Sequence, residues 1–132
     1  MDHADLLSRL ILWLKRRVSE AEAKGVVVGL SGGVDSAVVA VLCKKAFGRN
    51  LLGVVIPCNS TIDDLKDAKT LANKFGIAII KVDISDIYNK MTSLMPPIGT
   101  KMVKANLIPR LRMAILYYLA NSKNYLVCGT GN

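Results

Sequence analysis

The chain has 132 residues, enough for one domain, with 52% hydrophobic residues, a mean hydropathy of +0.35 and a formal net charge of +8. No apolar run approaches the roughly 20 residues of a membrane span, and residues 1–15 carry acids and an arginine where a signal peptide needs a basic start, so the expected location is cytoplasmic. The positive balance lacks a Lys/Arg-rich run with interleaved aromatics: from Ile87 onward there is no acid, while Lys90, Lys101, Lys104, Arg110, Arg112 and Lys123 are spread over several elements, which suits a phosphate-rich small ligand or an acidic segment missing from this chain at least as well as nucleic acid.

Leu6, Leu7, Leu10, Ile11, Leu14 and Val18 recur at helical spacing, so residues 4–23 are expected to form an amphipathic helix closed by Gly25. His3 and Trp13 belong to that segment, the first as a solvated residue and the second as a packing or interface contact. An apolar run, Val26 to Val28, then reads as a strand, and a helix is expected from Val34 to about Phe47, stopped by Gly48. Leu51 to Ile56 form a second strand ended by Pro57. Ser60 or Thr61 is the expected cap of a helix that stops at Gly76. Its mixed acids and lysines read as a solvated face. Ile77 to Val82 make a third strand, and Asp83 is expected to cap a helix near residues 86–94 rather than to touch ligand. Met95 to Gly99 is a break. Asn106 is the expected cap of a helix whose early Pro109 is tolerable, because first-turn amides have no helical partner. Tyr125 to Cys128 form a fourth strand, and the sequence closes on Gly129-Thr130-Gly131-Asn132.

Strand–helix alternation predicts an α/β fold: a parallel sheet of about four strands, right-handed crossovers and helices on both faces, as one domain over residues 1–132. Ligands of such sheets sit past the carboxyl ends of strands, where the winding reverses. If the first and fourth strands are neighbours, the segments 29–36 and 129–132 face one crevice. Cys43, Cys58 and Cys128 are odd in number, widely spaced and set in apolar runs, which reads as reduced core residues without metal spacing.

The segment Gly29-Leu30-Ser31-Gly32-Gly33-Val34-Asp35-Ser36 carries the chemistry. Gly32 and Gly33 can take positive φ and bring backbone amides close to an anion. The helix starting near Val34 adds unpaired amides and the positive end of its dipole. Ser31 and Ser36 supply hydroxyls. Asp35 places a carboxylate in the first helical turn, where beside bound phosphates it is suited to Mg²⁺. The absence of Gly-Lys-Ser/Thr and of Gly-x-Gly-x-x-Gly separates the string from Walker loops and dinucleotide fingerprints.

The string resembles the pyrophosphate loop of the N-type ATP pyrophosphatases, whose fold is the adenine-nucleotide-hydrolase-like, Rossmann-like sheet. The single amino-terminal helix, Asn106-Leu107-Ile108-Pro109-Arg110-Leu111-Arg112-Met113 before a Leu-Tyr-Tyr helix, and the closing Gly-Thr-Gly-Asn narrow the resemblance to ammonia-dependent NAD synthetase over essentially the whole chain. That resemblance implies adenylylation of deamido-NAD by ATP with Mg²⁺, then displacement of AMP by ammonia, in a homodimer. It implies that Gly29, Leu30, Ser31, Gly32, Gly33, Val34, Asp35, Ser36 and Thr130 hold ATP, that Asp35 holds the metal, and that Arg110 holds deamido-NAD, with Arg112 as its rival. The family's chain continues past Gly-Thr-Gly-Asn, through a second metal carboxylate and further substrate residues, so the expectation is the amino-terminal part of the family fold. The rival expectations are a noncatalytic ATP-binding module and another pyrophosphatase, such as a GMP synthetase or a tRNA-thiolating enzyme.

Overall fold

The run Val26-Val27-Val28 becomes the centre of the molecule because both faces of its strand are covered. The computed structural model describes residues 2–59, 62–97 and 99–129, and the backbone alone at 62–64. The cap expected at Ser60 or Thr61, and the segment 130–132 with Thr130, lie outside the described residues.

The elements run α1 (His3–Glu20), β1 (Gly25–Leu30), α2 (Val34–Phe47), β2 (Leu51–Val55), α3 (Ile62–Phe75), β3 (Ile79–Lys81), α4 (Ser85–Leu94), α5 (Lys101–Ala105), α6 (Leu107–Lys123) and β4 (Tyr125–Cys128). The strands form one parallel sheet in the order β3-β2-β1-β4. The first and fourth strands are neighbours, with Val28 paired to Cys128. After β3 the chain returns across the sheet to add β4 on the other side of β1, so the winding reverses between β1 and β4.

Alternate residues of each strand serve opposite layers. Val26, Val28, Leu30, Leu51 and Val55 pack with Val18 of α1, Ala40 and Cys43 of α2, and Ala68 and Ala72 of α3. Val27, Leu52, Val54 and Ile56 pack with Ile84, Leu116 and Ala120, with Tyr88 of α4 alongside. Because both faces are buried, the strands read as continuous apolar runs rather than as alternating ones. Val26, Val27 and Val28 are 2%, 0% and 1% exposed. Burying each such side chain contributes roughly 1.5–3 kcal/mol before entropy is counted.

Several boundaries differ from the sequence expectation. The helix expected over 4–23 ends at Glu20, and Gly25 opens β1 instead of closing the helix. Gly25 is needed there for close approach: a Cβ would strike the carbonyl oxygen of Asn50 and meet the Tyr125 ring. Strand β3 is shorter than Ile77 to Val82, because Ile77 is committed to the end of α3, donating to the carbonyl of Ala72 at 2.9 Å. The connection before α6 holds one more short helix, α5, whose Thr100 hydroxyl accepts from the amide of Val103 at 3.2 Å. Asn106 does not cap α6 with its side chain: it sits at φ −66°, ψ −17°, a helical conformation that carries α5 almost directly into α6. Asp83 does act at the start of α4, accepting from the amide of Ser85 at 2.9 Å.

Candidate functional site

Strand β1 delivers the glycine-rich loop to the carboxyl edge of the sheet, and α2 leaves from it. Gly32 has φ +85°, a left-handed conformation that costs other L-residues about 1–2 kcal/mol. Gly33 occupies the N-cap of α2 with extended backbone and no side-chain cap. The first helical bond runs from the amide of Ala37 to the carbonyl of Gly33 at 3.1 Å, so the amides of Val34, Asp35 and Ser36 have no intrahelical acceptor.

The two serine hydroxyls organise the loop. Ser31 Oγ and Ser36 Oγ lie 3.1 Å apart, and Ser36 Oγ donates to the carbonyl of Gly33 at 3.2 Å. The amide of Ser31 donates to Ser36 Oγ at 3.2 Å, and the amide of Gly33 to Ser31 Oγ at 3.3 Å. Oxygen acceptors at the mouth of the loop therefore already meet its amides, which is the chemistry that a phosphate oxygen would present. Asp35 is exposed in the first turn of α2.

A cleft of about 410 Å³ opens beside this loop, lined by Gly29, Leu30, Ser31 and Ser36, by Val54 to Pro57 at the end of β2, and by Leu65, Arg112 and Leu116. Its position past the ends of β1 and β2 is where open parallel sheets hold ligands. Its wall is apolar except for the loop, exposed backbone and one cation.

That cation is Arg112. It is half-buried, and its Nε donates to the carbonyl of Ile56 at 2.9 Å, tying α6 to the end of β2. A guanidinium has five N–H donors, so four are left for an anion after this bond. Arg110, the sequence's first choice, is exposed and donates from Nη1 to the carbonyl of Asn106 at 2.8 Å, on its own helix. The structure thus brings Arg112 together with Ser31 and Ser36 and leaves Arg110 outside the cleft. Cys58 sits near Arg112; burial pushes its thiol up, and the guanidinium partly offsets this.

Asp83, the other carboxylate considered for ligand, is held below its ordinary range by its hydrogen bonds to Ser85, with a smaller contribution from Lys81. Among the described residues no group of three or more His, Cys, Asp or Glu converges on one point. Asp35 is therefore suited to Mg²⁺ only as one carboxylate among phosphate oxygens and waters, a donor set which that cation accepts. No helix among the described residues is long and apolar enough to cross a membrane.

Comparison with known proteins places these features in a lineage. The family profile described as NAD synthase matches residues 6–132. An NH(3)-dependent NAD(+) synthetase of Carboxydothermus hydrogenoformans is 47% identical over 94% of this chain and 53% of its own length. Among solved structures, an NH3-dependent NAD synthetase from Campylobacter jejuni in complex with the nitrate ion superposes with a TM-score of 0.93 at 32% identity, covering 100% of this chain and 58% of that one. An NMN synthetase from Francisella tularensis gives 0.92, also at 32% identity, covering 100% and 56%. The chain spans about half the length of the curated relatives it matches.

Proposed function

The chain belongs to the NAD synthase family, and from that premise we propose that it carries the ATP-binding part of an ammonia-dependent NAD synthetase. The observation that supports this reading most is the cleft in which Ser31, Ser36 and Arg112 meet at the carboxyl edge of β1, beside the unpaired amides of α2. Gly29, Leu30, Ser31, Gly32, Gly33, Val34, Asp35 and Ser36 would hold the ATP phosphates, with Arg112 adding a cation from the facing wall. Thr130, just beyond the described residues, would join them, because β4 runs beside β1. Asp35 would hold Mg²⁺, which supplies charge neutralisation to the polyphosphate.

The proposed chemistry follows from what leaves. A carboxylate oxygen is a poor leaving group, so the nicotinate carboxylate of deamido-NAD attacks the α-phosphorus of ATP and expels pyrophosphate. Ammonia then adds to the activated carbonyl and AMP departs, leaving the amide of NAD. In this scheme the loop amides stabilise the negative charge gathering on the departing pyrophosphate, without themselves exchanging protons. Arg110, exposed in an acid-free stretch, would bind deamido-NAD outside the ATP cleft. The assembly would be a homodimer: Met113, Tyr117 and Tyr118 leave an apolar strip of α6 in solvent, Tyr118 at 75% exposure.

One observation favours a second reading: the Francisella tularensis neighbour is named for NMN, so a mononucleotide acceptor fits the same fold. A pyrophosphate-release screen with ATP–Mg²⁺, ammonia and, in turn, deamido-NAD, its mononucleotide counterpart, a GMP precursor and tRNA separates them. Release with deamido-NAD supports the reading, and release with another acceptor replaces it. ATP binding without release from any acceptor favours the noncatalytic module.

A further inference from the structure

At the rim of the cleft one residue has an unusual backbone. Among the described residues Glu22, Asn59 and Asn124 are the non-glycine positions with positive φ. Glu22 and Asn124 stand just before β1 and β4, at the amino edge of the sheet, whereas Asn59 follows β2 at the carboxyl edge, two residues past Pro57 of the cleft wall. Its φ of +51° is a conformation that persists where the surroundings over-determine it. Here α4 does so. The Asn59 amide donates to Ser85 Oγ at 2.8 Å, and its side-chain Nδ2 donates to Asn89 Oδ1 at 3.3 Å. Two residues earlier, the carbonyl of Pro57 accepts from the amide of Ile84 at 2.9 Å. The helix they hold to is itself fixed: the amide of Ser85 donates to Asp83 Oδ1, and Ile84, 1% exposed, packs with Tyr88 in the layer that contains Leu116 and Ala120 of α6.

We propose that Asn59 is a positioning residue for the nucleoside half of ATP: with Ser85 and Asn89 it latches the apolar wall of the cleft, residues 54–57, to α4 and so sets how far that wall stands from the glycine-rich loop. The proposal rests on the reading of the cleft as the ATP site. The cleft has two unlike sides, one carrying Ser31, Ser36 and Arg112, the other Val54, Val55, Ile56, Pro57 and Leu65. Phosphates belong to the first, and the largely apolar faces of a base to the second. The apolar side is tied from two directions: Arg112 holds the carbonyl of Ile56 from α6, and Asn59 holds the following turn from α4. Asparagine suits this post better than glycine, which accepts the same φ but has no side-chain amide to reach Asn89. Releasing the latch frees residues 56–59 from α4, so binding must order the wall that the base meets. The phosphate loop is braced separately, by the bonds between Ser31, Gly33 and Ser36, and is left as it is.

The test compares ATP–Mg²⁺ with tripolyphosphate–Mg²⁺, which has the phosphates without the nucleoside, by amide NMR titration of the isotopically labelled chain. The double variant Asn59→Gly/Ser85→Ala keeps a residue that accepts the positive φ and removes both bonds, while Asn89→Ala, on the exposed side of α4, removes one and carries the test should the double variant unfold. The ATP Kd should rise roughly 3- to 10-fold in the double variant and roughly 2- to 4-fold in Asn89→Ala, with the tripolyphosphate Kd unchanged. Asn89→Asp, which retains an acceptor oxygen, should bind ATP like the wild type. A merely structural role would weaken both ligands alike or neither, and either result overturns the latch while the ATP site stands. Asn89→Asp as impaired as Asn89→Ala overturns it too. A wild-type chain that binds ATP but not tripolyphosphate overturns the division of the cleft into a phosphate side and a base side. One that binds neither overturns the ATP reading, and the latch with it.

Discussion

Replacing Arg112 by methionine separates a brace from a ligand contact. Methionine keeps most of the unbranched apolar stem and removes the guanidinium, so packing against Leu116 changes little while the bond to Ile56 is lost. A hydrogen bond with one charged partner contributes about 1.5–3 kcal/mol, and half-exposure places this one near the lower end. With an unfolding entropy of about 2.1 cal/mol/K per residue over 132 residues, a loss of about 1.5 kcal/mol lowers Tm by roughly 5 °C. If the remaining N–H groups also hold phosphate, ATP affinity falls separately, by roughly 10- to 150-fold for a second loss of about 1.5–3 kcal/mol. Differential scanning fluorimetry gives the first quantity and titration calorimetry with ATP–Mg²⁺ the second. Arg110→Met should move neither, because that side chain is exposed and bonded within its own helix. A lowered Tm with unchanged ATP affinity in Arg112→Met would make Arg112 a brace only, and an ATP defect in Arg110→Met would refute the choice between the two arginines.

Three further outcomes are expected. Gly25→Ala should cost about 1–3 kcal/mol in urea unfolding, since its Cβ would run into the carbonyl of Asn50, which is held in place as acceptor for the amide of Val26 at 3.1 Å; wild-type stability would contradict the tight approach. Asp35→Ala should remove the Mg²⁺ dependence of ATP binding while leaving the fold intact, and equal Mg²⁺ dependence in both chains would sink the metal assignment. Asp83 has its carboxyl lowered in the folded state from 3.8, so its contribution is present above that value and disappears as the pH falls through the lower folded value. The stability gap between wild type and Asp83→Ala should therefore be full near pH 6 and shrink below about pH 4, and a gap that widens on acidification would reverse the assignment.

The loop was legible because three independent signals coincide there: a buried strand, two glycines and a helix start. The fold class followed from the same alternation. What stayed hidden depended on phase and on unusual backbone. Arg110 and Arg112 are separated by about 200° around α6, so choosing between them needs the helix's phase. Leu116, one turn after Arg112, and Ala120 give that phase, but Ile115, Leu116, Tyr117, Tyr118 and Leu119 are apolar in succession and blur the buried stripe. The end of α1 was misplaced because Glu22 adopts φ +54°, a conformation for which glutamate gives no sequence signal. Thr100 was a readable cap for α5, masked by the Pro-rich break before it. The pairing of β4 with β1 is a long-range contact that no local pattern encodes.

The central claim is that the glycine-rich loop between β1 and α2, with Arg112 facing it, holds the phosphates of ATP. Amide NMR of the isotopically labelled chain titrated with ATP–Mg²⁺ tests this directly. Saturable shifts should concentrate on residues 29–36 and on Ile56 and Arg112 across the cleft, with α5 and the amino-terminal half of α1 unmoved. Shifts centred instead on the exposed lysines of α5, with residues 29–36 unchanged at saturation, would contradict the assignment of this cleft.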